Sequence, residues 1–277
     1  MAYRQSTVDE RKIARFQKEG RGLGRGAEYK PWLTIYDLAS KGRSHRVFGT
    51  KTRRIHHFLS DIEWRLFLHL DWCDEVADIR EQFPLDRRDT RQIAMSMGVR
   101  HPTDTANKTP LVMTTDFLVD VLQEGKLRQE ACAVKPSADL KRGRVLEKLE
   151  IERRYWIEKG VSYRIVTDLD FSPIVTKNLQ WLRTLAFTSQ SEPWAGFHRD
   201  QAEAVRQAIP LHAPLTLRQF CARMDHDLEL SSGSTLTLVR HLLLSKVVAV
   251  DLTRPLDDHR SMAEFLLSSP VAGREVG

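Results

Sequence analysis

VMTTDFLVDVLQEGKLRQEACAVKP (residues 112–136) contains two runs of β-forming residues, Val112–Leu122 and Glu130–Pro136, with a turn between them. Asp116 interrupts the first run, where a carboxylate is unfavourable unless it is edge-exposed or paired. Lys135 closes the second. The 19 residues separating them suit two neighbouring antiparallel strands, so that both side chains reach one end of a sheet. Upstream, Ser60 opens a helix, DIEWRLFLHLDW, with Ile62, Leu66 and Leu70 at helical spacing. Glu63 falls in its first turn. Two further strands are predicted, Val76–Phe83 closed by Pro84 and Tyr163–Thr167. The helical stretch RVLEKLEIERRYWIEKG (residues 144–160) precedes the last strand, and Gly160 stops it. Helix, strands, helix, strand describes an α/β core with a mixed sheet.

Glu63, Asp116 and Lys135 fit phosphodiester hydrolysis. Charge on phosphorus is offset by hard cations, for which carboxylates are the preferred ligands. A lysine beside them can orient or deprotonate the attacking water and offset charge on the phosphate oxygens. Each residue also has a plainer reading. Ser60 and Glu63 spell a capping box, S-D-I-E. Lys135, next to a proline, could simply end a strand in solvent.

The charge is uneven. Residues 1–60 hold 14 Lys/Arg against 5 Asp/Glu, a surplus of nine, whereas the whole chain carries +6. A basic front end points to a polyanion. GRGLGRG (residues 20–26) lacks the context of a phosphate loop and is expected to be a flexible basic arm. KGRSHRVFGTKTRRIHH (residues 41–57) reads as a basic hairpin, whose Arg43, His45, Arg46, Lys51, Arg53, Arg54, His56 and His57 are candidate contacts to a DNA backbone. Toward the C-terminus two helices, with Thr216 and Ser234 as N-caps, and a two-stranded wing suggest a small winged-helix domain. Its second helix offers only Arg240 and His241 to DNA, which favours a protein partner. Three scattered cysteines exclude a disulfide framework and a CxxC metal site. No secretory signal or membrane-length apolar run is seen, so a cytoplasmic location without membrane contact is expected.

EGRGLGRGAEYKPWLT, KGRSHRVFGTKTRRIHHFLSDIE, DIREQFPL, DTRQIA, TTDFLVD, VKP and LEKLEIERRYW, in this order, resemble TnsA, the endonuclease subunit of heteromeric transposases of the Tn-seven type. The likeness runs from about Ile13 to Asp168. It implies a restriction-endonuclease-like mixed sheet flanked by helices over residues 1–170, followed by a mainly α, winged-helix domain over 171–277. It implies cleavage of the 5′ strands at transposon ends, with one or two Mg²⁺ ions for which Mn²⁺ can substitute. Carried over by motif, Glu63 binds metal, Asp116 bridges the metals and Lys135 manages the attacking water. A further carboxylate falls on Glu152. The family's Gln-Val-Lys is here Ala133-Val134-Lys135, so the Val134 carbonyl, water or Glu152 would complete the shell. The implied partners are transposon-end DNA, a TnsB-type transposase, and a TnsC-type AAA ATPase engaged through the C-terminal domain. Alternatives from the same residues are a self-sufficient restriction or repair nuclease and a catalytically weakened DNA-binding adaptor subunit, the latter suggested by Ala133.

Overall fold

A computed structural model describes residues 7–37, 43–183 and 199–265, and the chain divides into two units between Phe171 and Ser172. The first unit begins with α1 (Glu10–Lys18), capped by the Asp9 carboxylate on Lys12 N at 2.8 Å. Ile13 and Phe16 of α1 pack on Trp32. A hairpin follows, β1 (His45–Phe48) and β2 (Ile55–Phe58), then α2 (Asp61–Trp72), β3 (Val76–Pro84) and α3 (Arg87–Ser96). The unit continues with β4 (Thr114–Gln123), β5 (Lys126–Val134), α4 (Gly143–Glu158) and β6 (Ser162–Val166).

Strands β3, β4 and β5 are antiparallel neighbours, and β6 joins β5 in parallel, which requires the crossover that α4 provides. The mixed α/β sheet flanked by helices is therefore as the sequence indicates. Alternation along the strands serves two cores. Phe117, Val119, Cys132 and Val134 meet Leu66, Phe67 and Leu70 of α2 and Phe58 of the hairpin. Leu118 and Ala131 meet Ile93 and Ala94 of α3 and Ile151, Tyr155 and Trp156 of α4. Strand β5 starts earlier than expected, at Lys126, because Glu124 (φ 51°) and Gly125 (φ 73°) form a two-residue turn with both dihedrals positive.

The glycine-rich segment is a correction. It is not a flexible arm but a folded loop on β3. Gly22 (φ +82°) lies where a Cβ would sit 2.2 Å from Pro84 Cγ, so only glycine allows this approach. Gly26 N donates to Asp78 Oδ1 at 3.2 Å. Arg21 lies 3.6 Å from the Phe16 ring centroid and donates to Trp32 O at 3.0 Å and Asp37 Oδ2 at 2.7 Å.

The second unit is helical: α5 (Pro173–Arg183), α6 (Arg199–Leu211), α7 (Leu217–Asp227), α8 (Ser234–Leu244) and α9 (Met262–Phe265). Leu179, Leu182, Val205, Phe220, Leu238, Val239 and Leu242 are among its buried residues. Thr216 caps α7 in a reciprocal box with Gln219. The cap of α8 differs from the sequence reading. Gly233 (φ 87°) holds the cap position, and Asp225 of α7 accepts from Gly233 N and Thr235 N, each at 2.7 Å. Two orphan donors of one helix are thus satisfied by a carboxylate from another. Asp225→Ala is expected to destabilise the full chain by about 1–2 kcal/mol, read as a lower urea midpoint with an unchanged slope.

The expected two-stranded wing is not formed among the described residues. Thr216 makes a single bridge to Ser261. Part of the segment read as a wing is bound instead by Asn178 of α5, which donates to Leu252 O at 2.8 Å and Arg254 O at 2.7 Å and accepts from Leu256 N at 2.9 Å. Backbone groups that a strand ladder would use are already taken. Arg240 of α8, a candidate DNA contact, is buried with its guanidinium 4.2 Å from the Trp181 ring centroid. No described helix is long and apolar enough to cross a membrane.

Candidate active site

The two β-ladders flanking β4 both lapse at Asp116. Between β3 and β4 the register runs Glu81↔Phe117 and Phe83↔Thr115, omitting Gln82 and Asp116, because Gln82 takes a left-handed conformation (φ 48°). Between β4 and β5 the pairing ends at Phe117↔Cys132. The Val134 N–H, released from β4, donates instead to Asp116 Oδ2 at 2.6 Å. Lys135 Nζ donates to the same oxygen at 2.8 Å and to Val134 O at 2.7 Å. Gln82 Nε2 reaches Asp116 Oδ1 at 3.3 Å.

Glu63 is both a capping residue and part of this cluster. Its Oε1 accepts from Ser60 Oγ at 2.8 Å, its Oε2 accepts from Leu59 N at 3.0 Å, and its own N–H donates to Ser60 Oγ at 3.2 Å. Burial, then the Asp116 charge, pushes its carboxyl up to about 7. From the opposite face of the sheet, α4 delivers Glu152, which burial and Asp116 push up to about 8. Lys135 feels Asp116, Glu152 and Glu63 together. Burial works against its ammonium, but the three carboxyls outweigh it and hold the pKa above the ordinary lysine value. Glu63, Asp116, Lys135 and Glu152 are therefore brought within electrostatic reach of one another at one end of the sheet.

The donor set fits a hard divalent cation. Glu152 Oε1 is buried without a hydrogen-bond partner, and two of the three acids are held toward protonation, first by burial and then by the nearby Asp116 charge. Among the described residues, three candidate ligand side chains come within 4.8 Å of one another at Asp257, Asp258 and His259, on a surface turn. The site's carboxylates are more widely set, because Lys135 and Val134 N draw Asp116 while Ser60 and Leu59 hold Glu63. Ala133 is fully buried and offers no side-chain donor.

The basic hairpin forms with Arg46 opposite His57 and Val47 opposite His56. Arg43, Arg46 and Arg53 are exposed, and Lys51 and His57 half-buried. Three other expected DNA contacts are placed elsewhere. Arg54 and His56 are buried around Glu81, which accepts from Arg54 Nη1 at 2.8 Å and Nη2 at 2.5 Å, lies 2.8 Å from His56 Nδ1, and accepts from His57 N at 3.2 Å. A fully buried carboxylate has to recruit such counter-charge and donors. His45 turns to Asp61, 2.6 Å away, and stacks on Trp64. Gln82, Glu81 and Tyr163, which faces Glu152, escaped the sequence reading. The strand of Glu81 and Gln82, VADIREQFP, mixes charged and apolar residues, so nothing local marked either of them.

A mixed sheet with three acids and a lysine gathered where its ladders part is the arrangement of a DNA endonuclease. The model for the TnsA-like endonuclease N terminal matches residues 73–168, and that for the TnsA endonuclease C terminal matches residues 170–252. The Transposon Tn7 transposition protein TnsA of Escherichia coli is 43% identical over 248 residues, which cover 87% of this chain and 86% of that protein. The chain belongs to the TnsA endonuclease family.

Proposed function

We propose that this endonuclease cleaves the 5′ strands at transposon ends during cut-and-paste transposition, using divalent metal held by Glu63, Asp116, the Val134 carbonyl and Glu152. The single observation that carries this reading is the convergence of Glu63 and Glu152, from opposite faces of the sheet, on Asp116 and Lys135. One or two Mg²⁺ ions, or Mn²⁺, would supply the positive charge that stabilises the entering and leaving oxygens. Asp116, at the centre, is suited to a bridging position. Lys135, held as an ammonium, orients the attacking water and offsets phosphate charge; it is a poor candidate for the base. Arg43, Arg46, Lys51, Arg53 and His57 line the hairpin that leads into α2, and they hold the DNA backbone in register.

The first unit is read as the restriction-endonuclease-like catalytic domain. The second is read as a winged-helix-type module, and as the surface for a TnsC-type ATPase. A TnsB-type transposase supplies end recognition and the 3′ cuts. The test is Asp116→Ala in a reconstituted transposition reaction on end-bearing DNA. Loss of 5′ cleavage, with products shifting from cut-and-paste to fused molecules, is expected. Unchanged cut-and-paste products would overturn the assignment, and would leave an adaptor role standing.

A further inference from the structure

Tyr36 is an aromatic side chain that serves no core: it is 73% exposed. It is nevertheless held in a firm turn. Asp37 Oδ2 accepts from Thr34 N at 2.9 Å, Thr34 Oγ1 at 2.7 Å and Arg21 Nη1 at 2.7 Å, and Tyr36 N donates to Thr34 Oγ1 at 3.3 Å. Those bonds, with the Thr34 hydroxyl and the Arg21 guanidinium, hold the Asp37 carboxyl below its usual range against the opposing effect of burial. Little conformational entropy is left for the turn to lose when Tyr36 binds something.

Its surroundings are specific. The Tyr36 ring meets the His57 ring at 5.8 Å and an interplanar angle of 65°, and the Arg46 guanidinium lies 6.0 Å from the Tyr36 centroid. Arg46 and His57 are direct cross-strand partners, so all three side chains share the outward face of the hairpin. An exposed aromatic flanked by a guanidinium and an imidazole is the composition with which proteins stack unpaired bases. The position also suits such a role. His57 is two residues from Leu59, whose N–H is held by Glu63, so at most about 7 Å of chain separates His57 from the residue that bonds the Glu63 carboxylate. Tyr36 thus stands against the strand that leads directly to Glu63.

We infer that Tyr36, with Arg46 and His57, is a stacking platform for an unstacked nucleobase of the DNA strand beside the cleavage position. The inference rests on the reading that the hairpin faces DNA. A nucleobase is favoured over an apolar protein partner because the ring lies beside the Arg46 guanidinium in the most basic part of the chain, which complements a polyanion.

The test places 5-iododeoxyuridine in turn at each nucleotide flanking the 5′ cleavage position of an end-bearing duplex, and photo-cross-links it to the full chain in the reconstituted complex. Cross-linking to Tyr36 is expected at one position or two adjacent ones. Tyr36→Ala should lower DNA affinity and 5′ cleavage roughly ten- to hundred-fold, while Tyr36→Phe and Tyr36→Trp keep most of both. Arg46→Glu is the control for the underlying reading. Wild-type cleavage by Tyr36→Ala, with binding lost in Arg46→Glu, overturns the platform and leaves the DNA-facing hairpin. Wild-type behaviour in both variants overturns both. Normal DNA binding by Tyr36→Ala with loss of assembly alone shows a protein on this surface, and also overturns the platform.

Discussion

Lys135→Met is expected to lower 5′ strand cleavage by roughly 10²–10⁴-fold in single-turnover assays, with binding of end DNA largely kept. The side chain bonds Asp116 Oδ2 and Val134 O, and its ammonium is opposed by three carboxyls. Methionine keeps the length and removes the charge and all three donors. The fold should survive, since Asp116 keeps its bonds from Val134 N and Gln82. A cooperative thermal transition would verify that. Lys135→Arg separates the possible roles. If positive charge alone matters, arginine restores a good part of the rate; if the compact ammonium has to orient water, arginine is nearly as poor as methionine. Near-wild-type cleavage by Lys135→Met would remove Lys135 from the chemistry.

The largest effect on stability is expected at Glu81, not at the site. Glu81→Gln leaves the buried Arg54 guanidinium without its counter-charge, a loss of about 3–5 kcal/mol that a shift of the urea midpoint would report. The pH dependence follows from the same cluster. Burial alone would raise the Glu81 carboxyl, but His56 and Arg54 outweigh it and hold it far below the ordinary 4.5. Its contribution is present above the unfolded value and is lost as pH falls below it. His56, which burial holds below its ordinary 6.5, acts in the same direction, because acid protonates the imidazole more readily once the chain unfolds. Stability of the wild type should therefore decline as pH falls from about 6.5 and more steeply below about 4.5. Glu81→Gln should flatten the lower part of that curve. Retention of the full acid slope would show that Glu81 is not its source.

Much of the catalytic unit was legible because its signals are local. Runs of β-forming residues marked the four sheet strands, helical spacing marked α2, a helical stretch stopped by Gly160 marked α4, and Asp116 stood out as a carboxylate among β-formers. What stayed hidden depended on contacts distant in sequence. Arg54 and His56 look like their exposed neighbours until Glu81, 27 and 25 residues on, is seen to claim them. The glycine-rich loop looks mobile until Pro84 is placed against Gly22. In the segment read as a wing, Asn178, more than 70 residues away, takes backbone groups of Leu252 and Arg254 that no local pattern assigns to it. Sequence periodicity reports how a segment alternates, and it is silent about which remote side chain completes the segment's hydrogen bonds.

The Val134 amide proton has one more consequence. It points at the carboxylate on which the proposed chemistry turns, at 2.6 Å, in place of a main-chain oxygen of β4. Anything that redistributes charge on Asp116 should shift this proton's NMR resonance and alter its rate of exchange with solvent. The fold thereby carries its own spectroscopic gauge of the site, readable without any DNA being cut.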